Sequence, residues 1–295
     1  MALETIVDLM RAAREGRYAV GYFESWNLDS LQGTVDAAEQ TRSPIILGFN
    51  GEFLSHAGRT VPERLAVYGA MGKAAAEAAS VPCGLIFNEC AQDDWVKAAA
   101  LAGFNLVMPA DPQASFDDYK RRVQEITRFV HAHGGAVEAE LGELPCGASG
   151  TVTEAGAMTD PDIAAAFVEE TKVDLLAVSV GNVHIQIHGQ QGLNLNRLRT
   201  IHERISVPLV LHGGTGITTE ALHAAISLGV AKVNYGTYLK QRYLAAVRTA
   251  LETGETNPHV LLGLGEAGDV MTAGRLAVRD AVLERICHLG CCGKA

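Results

Sequence analysis

Apolar residues in this chain come in short unbroken blocks, separated by stretches of helical periodicity. Tyr18 to Phe23 is the first block, and a helical pattern follows from about Asp29. Pro44 to Phe49 precedes a helix over roughly Val61 to Ala79. Cys83 to Glu89 precedes one over Asp94 to Ala102, and Asn105 to Ala110 one over Phe116 to His133. Gly135 to Leu141 is the fifth block, with its helix delayed to Pro161–Thr171. Leu175 to Val180, Pro208 to His212 and Lys232 to Tyr235 complete the set, and the last barrel helix starts near Thr237. Unbroken apolar runs, unlike alternating ones, predict strands covered on both faces. Eight strand-then-helix units with no linker or composition break predict one α/β domain over residues 1–295. The expected fold is a (β/α)8 TIM barrel with extra C-terminal helices reaching about His288.

The pattern also shows where the barrel would carry its chemistry. Val207-Pro208-Leu209-Val210 reads as a buried strand that runs into Leu211-His212-Gly213-Gly214-Thr215-Gly216. A new helix opens just beyond, with Thr218 or Thr219 as N-cap and Glu220 in its first turn. A glycine-rich turn before a helix presents backbone N–H groups and a partial positive charge, which suit a phosphate or another anion. Two loops are longer than such domains usually need, Gly142 to Thr159 and Gly181 to Leu193. Both follow strands, on the face where barrels place active sites, and lids are a common use for them.

Composition narrows the partners. The 295 residues suffice for two ordinary domains or one barrel, and 48% hydrophobic content supports a large core without disulfides. A formal charge of −10 argues against nucleic acid or an anionic membrane as partner. No apolar stretch reaches membrane-spanning length, and Met1-Ala2-Leu3-Glu4 lacks a signal-peptide pattern. Six unevenly placed cysteines do not form a secreted framework, so a reducing cytoplasm is expected. Cys287, His288, Cys291 and Cys292 form a terminal cluster that could bind a metal. With no second ligand pair apparent, a poorly ordered tail is the reading taken.

Polar residues at the predicted strand ends should meet at one mouth although they lie far apart in sequence. They are Asn50, Asn88, Glu89, Glu138, Glu140, His184, His212 and Asn234. Two histidines and a carboxylate make a His2Glu set suited to catalytic zinc, with Glu89 the first choice of carboxylate and Glu140 the second. The alternative is a buried polar layer in which each histidine is satisfied by hydrogen bonds.

Several stretches resemble the class II, zinc-dependent ketose-bisphosphate aldolases, in the fructose- and tagatose-bisphosphate branch. They are Tyr18 to Phe23, Val137 to Gly142, Thr159-Asp160-Pro161, Val180 to His184, Leu211 to Gly216, Val233 to Thr237 and Gly293-Lys294-Ala295. The resemblance implies a metal-dependent aldolase-type lyase acting on a phosphorylated ketose with a dihydroxyacetone-phosphate end. It implies zinc, with another divalent metal or a monovalent cation as alternatives, and a homodimer or homotetramer. His184 and His212 match two of the family's three histidine ligands. The family's His-Leu-Asp-His pattern is here Ile86-Phe87-Asn88-Glu89, so Glu89 takes the third ligand position and Asn88 that of the catalytic aspartate. An amide orients a hydroxyl but transfers no proton at neutral pH. Glu143 on the long loop is the candidate for that acid/base role, with Glu140, Asp93 and Asp94 also nearby. Gly213, Gly214, Thr215, Asn234 and Thr237 match the family's phosphate and substrate contacts. Asn50 stands where a small hydroxyl residue is usual. Ile185 replaces a phosphate-binding glycine, and Pro109-Ala110-Asp111-Pro112 departs from the strand-four pattern. The departures point to a substrate other than ordinary fructose bisphosphate. They also admit two alternatives: a sugar-phosphate-binding barrel without lyase activity, or an isomerase or epimerase using the same enediolate chemistry.

Overall fold

Strands of this chain are buried along nearly their whole length, as their unbroken apolar pattern requires. In a computed structural model, which describes residues 3–142, 144, 156–183 and 192–295, eight parallel strands close a barrel in chain order. They are β1 (Val20–Phe23), β2 (Ile45–Asn50), β3 (Cys83–Cys90), β4 (Leu106–Pro109), β5 (Ala136–Leu141), β6 (Leu175–Val178), β7 (Leu209–Leu211) and β8 (Val230–Tyr235). β8 pairs back onto β1, with Val20 opposite Lys232 and Phe23 opposite Tyr235. Only Glu140, on β5, has appreciable exposure among the strand residues.

The helices are α1 (Ile6–Gly16), α2 (Leu28–Thr41), α3 (Gly51–Ser55), α4 (Leu65–Ala78), α5 (Asp93–Leu101), α6 (Phe116–Ala132), α7 (Pro161–Thr171), α8 (Leu195–Arg204), α9 (Thr219–Ser227), α10 (Thr237–Leu251), α11 (Pro258–Leu261) and α12 (Val270–Ile286). Several of their starts are written in the sequence. Asn27 makes a reciprocal capping box with Ser30, Ser115 caps α6, and Asp160 caps α7 with Pro161 in its first turn.

Some boundaries move for local reasons. Val61 is exposed, and α4 begins at Leu65 instead, because the residue before Pro62 is held away from the helical region. β7 begins after Pro208, which has no N–H for the ladder. α1 was not expected from the barrel pattern. Its Ile6, Leu9, Met10 and Ala13 face inward, and Glu4 N–H bonds the Cys83 carbonyl at 2.9 Å. The C-terminal residues correct the expectation of a poorly ordered tail. Leu289 O accepts from Ala19 N–H at 2.9 Å, and Gly293 and Ala295 donate to Thr41 and Arg42 carbonyls at 3.0 Å each. α12 lies so close to α2 that a Cβ on Gly33 would come 2.4 Å from Arg275 O, and Arg275 grips Asp36 through two bonds. No helix among the described residues is long and apolar enough to cross a membrane.

Candidate active site

Side chains alternate along a strand, so residues two apart share a face. Glu138 and Glu140 of β5 are such a pair, and so are Lys232 and Asn234 of β8. His212 follows β7 directly. Its ring is buried (1% exposed) between carboxylates. Nε2 is 2.9 Å from Glu138 Oε1, while Nδ1 is 3.2 Å from Glu89 Oε1 and 3.6 Å from Glu140 Oε1. Asn182 donates to the His212 carbonyl at 3.1 Å and fixes the backbone beneath the ring. Glu138 is fully buried and is also held by Lys232, whose Nζ lies 2.8 Å from Oε2. Lys232 reaches Asn234 Oδ1 at 2.6 Å and sits 5.2 Å from the Tyr22 ring centre.

These contacts set the charge states. Burial opposes a charged imidazole, but Glu140, Glu138 and Glu89 together outweigh it, and the His212 pKa rises to about 10. Burial likewise opposes a charged Glu138, yet Lys232 and His212 hold its carboxyl below the usual range. Burial pulls Lys232 below the ordinary lysine value against the attraction of Glu138. Three carboxyl groups, an imidazole and an amine thus share one cluster, in which the Glu138, His212 and Lys232 side chains are fully buried.

Glu89 is brought to this cluster by an irregular backbone. It has φ +53°, the left-handed region that non-glycine residues rarely adopt. The β3–β4 register shifts between Phe87 and Cys90, as at a bulge. Such strained residues persist where the surroundings over-determine them. Here Asn50 Nδ2 donates to Glu89 Oε2 at 2.8 Å. Arg122 bonds the carbonyls of Cys90 (2.9 Å) and Ala110 (3.3 Å) while pairing with Asp93. Asp93 therefore supports the strand ends. Asn88 is buried, and its Oδ1 has no partner among the described residues.

The β7–β8 side is different. Gly213 has φ +67° and leads into a 3-10 turn, Gly214–Gly216. A Cβ on Gly214 would meet Val233 Cγ1 at 2.6 Å, so part of the glycine requirement is packing against β8. Thr218 caps α9 by accepting from Ala221 N–H at 3.3 Å. Thr237 opens α10, whose start has no side-chain cap. Glu24 lies against this turn: a Cβ on Gly236 would fall 2.3 Å from its Oε2, and Lys240 neutralises it at 2.5 Å.

The expected residues fare unequally. Asn88, Glu89, Glu140 and His212 occupy the strand-end side of one mouth, and Gly213, Gly214, Thr215, Asn234 and Thr237 follow or end β7 and β8. Asn50, expected to bind substrate, has both polar atoms engaged: Nδ2 on Glu89, and Oδ1 on Phe53 N–H as the α3 N-cap. His184, Glu143, Ile185 and most of both long loops lie outside the described residues. Lys232 was missed as a site residue, and Glu138 was placed among the strand-end polar residues without a role. The signal was there: a lysine inside Val230-Ala231-Lys232-Val233, and a glutamate inside an apolar strand, must find each other or another counter-charge.

The donor chemistry fits a small divalent cation. Tetrahedral ligands at about 2.1 Å lie about 3.4 Å from one another, close to the spacing between His212 Nδ1 and the two carboxylates. The Glu138 carboxylate on the opposite ring nitrogen is the support a metal-bound histidine usually has. Among the described residues these donors contact one another and do not form a complete ligand set.

A family model described as fructose-bisphosphate aldolase class-II matches residues 4–294. The chain is 32% identical to a fructose-bisphosphate aldolase of Geobacillus stearothermophilus, over 100% of this chain and 99% of that one. It is 35% identical to the uncharacterized protein YdjI of Escherichia coli (strain K12), over 96% of each. The crystal structure of the YdjI aldolase from Escherichia coli K12 superposes with a TM-score of 0.81, at 32% identity and 99% coverage of both chains.

Proposed function

The chain belongs to the class II fructose-bisphosphate aldolase family, and from that premise we propose a divalent-metal-dependent lyase that cleaves or forms a C–C bond in a phosphorylated ketose of the dihydroxyacetone-phosphate type. The observation that carries this reading is the setting of His212, with Nδ1 facing Glu89 and Glu140 and Nε2 held by Glu138. Glu89 and His212 would hold the metal, with His184 as the expected third ligand and Glu140 beside them. A divalent metal bound there supplies Lewis acidity toward a ketone oxygen.

The remaining roles belong to the chain's own groups. Backbone N–H groups of the Gly213–Thr215 turn and of the α10 start at Thr237 receive the phosphate. Asn234 Nδ2, buried and without a partner among the described residues, donates to an oxygen at the reacting end. Asn88 Oδ1 accepts from a substrate hydroxyl and orients it, but cannot take its proton. That proton goes to another base, with Glu140 the candidate at the mouth and Glu143 the candidate on the long loop. The neutral Asn88 also favours a second reading, in which the barrel binds a sugar phosphate without cleaving it or isomerises it.

Metal analysis of the purified protein, together with solvent deuterium exchange into dihydroxyacetone phosphate, tests the proposal. Zinc with exchange is the expected result. Zinc with exchange only into a longer ketose, and no cleavage, would replace the lyase by an isomerase. Neither metal nor exchange would leave a binding protein. The expected cytoplasmic setting and homo-oligomeric state belong to the same proposal, and gel filtration with light scattering tests the latter.

A further inference from the structure

Lys232 joins the two sides of the mouth. Its ammonium is fully buried on β8 and contacts Glu138 Oε2 at 2.8 Å, Glu138 Oε1 at 3.1 Å and Asn234 Oδ1 at 2.6 Å. An ammonium only donates, so this contact fixes which way the Asn234 amide is turned. Its oxygen is taken, and its NH2 group is left as the buried donor without a partner among the described residues. On the other side, Glu138 accepts from His212 Nε2–H, which leaves Nδ1 toward Glu89 and Glu140.

We propose that Lys232 is a positioning residue for both halves of the site. It makes Asn234 a donor toward substrate and, through Glu138, aims His212 Nδ1 at the metal position. The inference rests on the function proposed above and deepens it. Lys232→Met alone would leave Glu138 charged and unpaired, so the informative variant is Lys232→Met with Glu138→Gln. Zinc alone and dihydroxyacetone phosphate are titrated separately, beside crystal structures of the parent and the variant. The expected result is a roughly 10–100-fold loss of zinc affinity, as for other outer-shell partners, with weaker dihydroxyacetone phosphate binding and a displaced His212 ring. Asn234→Asp, which keeps an acceptor for Lys232 but removes the donor, should weaken dihydroxyacetone phosphate binding and spare zinc. A folded double variant that binds both ligands as the parent does would overturn the inference. If the parent itself binds neither, the proposed function fails. The crystal structures then decide the positioning role: unmoved His212 and Asn234 side chains overturn it, and displaced ones uphold it.

A second inference comes from the other end of the chain. Cys287 and Cys292 are both exposed, and their sulfurs are 3.5 Å apart. Cys291 between them is buried and turned to the Ile286 carbonyl at 3.6 Å. The backbone that carries Cys292 is held by the Gly293–Thr41 bond. We propose that Cys287 and Cys292 form a reversible disulfide by exchange with a small-molecule disulfide. One thiolate attacks the small disulfide and releases one thiol. The other thiolate then attacks the mixed disulfide and releases the second, so two protein S–H groups become one S–S bond and two small thiols. Incubation with glutathione disulfide, followed by tryptic mapping, should give an Ile286–Lys294 peptide 2 Da lighter, reversed by dithiothreitol. A Cys291→Ser variant should behave the same, and Cys287→Ser should not. Only mixed glutathione adducts, or a 291–292 bond, would overturn it.

Discussion

The two halves of the barrel mouth are built from different materials. On the β3–β5–β7 side, Glu89, Glu138, Glu140 and His212 crowd charged side chains into a desolvated cluster, completed by Lys232. On the β7–β8 side, Gly213, Gly214, Thr215 and Thr237 offer backbone and small neutral groups, and the nearby carboxylate of Glu24 is already covered by Lys240. Desolvated charges are costly unless each is paired, so the first half depends on side chains from several strands arriving together. The second half depends on local backbone shape. Changes in the first should abolish chemistry and alter metal binding, whereas changes in the second should weaken substrate binding.

His212→Ala is the strongest way to break the charged half. Steady-state assay of ketose-phosphate cleavage should show a loss of roughly 10⁴-fold, about 5.5 kcal/mol of transition-state stabilisation, with zinc no longer retained on dialysis. Unchanged zinc content would remove His212 from the metal site. Asn88→Asp comes next. Restoring a proton-transferring group is worth roughly 10²-fold or more, so cleavage of fructose bisphosphate should rise by that order. A flat response would show that the missing carboxyl is not what limits the reaction.

Gly213→Ala probes the other half. An alanine at φ +67° costs about 1–2 kcal/mol, and distortion of the turn should raise KM for the phosphorylated substrate about tenfold with kcat little changed. If kcat fell and KM did not, the division between the halves would be wrong.

Protons give the finest test. The folded His212 pKa of about 10 lies above its ordinary value of 6.5. In metal-free protein its contribution to stability is therefore fully present below about pH 6.5 and is lost as pH rises through about 10. Glu138 is shifted the other way, so its contribution is present above the ordinary carboxylate range and is lost as pH falls. Urea denaturation of metal-free protein should show lower stability at pH 10 than at pH 7. Because a metal must displace the His212 proton, zinc binding at pH 7 should release about one proton. Calorimetry in buffers of different ionisation enthalpy measures it, and release of none would contradict the assigned charge state.

Repetition made the barrel legible: the apolar block recurs eight times over, and several of the helices that follow open on a local cap, such as Asp160 before Pro161 or Thr218 before α9. α1 escaped because it stands outside that repetition and is defined by the barrel surface it covers. Asn50 shows the limit for the site. Its position at a strand end was readable, but its engagement with Glu89 and the α3 N-terminus depends on a backbone bulge one strand away.

The order of elements, the strand-end face on which the polar residues gather and the residue types found there were determined by the sequence, because strand periodicity and strand ends are properties of neighbours along the chain. Tertiary structure alone decided that Lys232 would grip Glu138, that Glu89 would turn inward at a positive φ, and that His212 would sit among three carboxylates. Those outcomes depend on distances between strands remote in sequence, and a buried charge has no fixed meaning until its partner is in place.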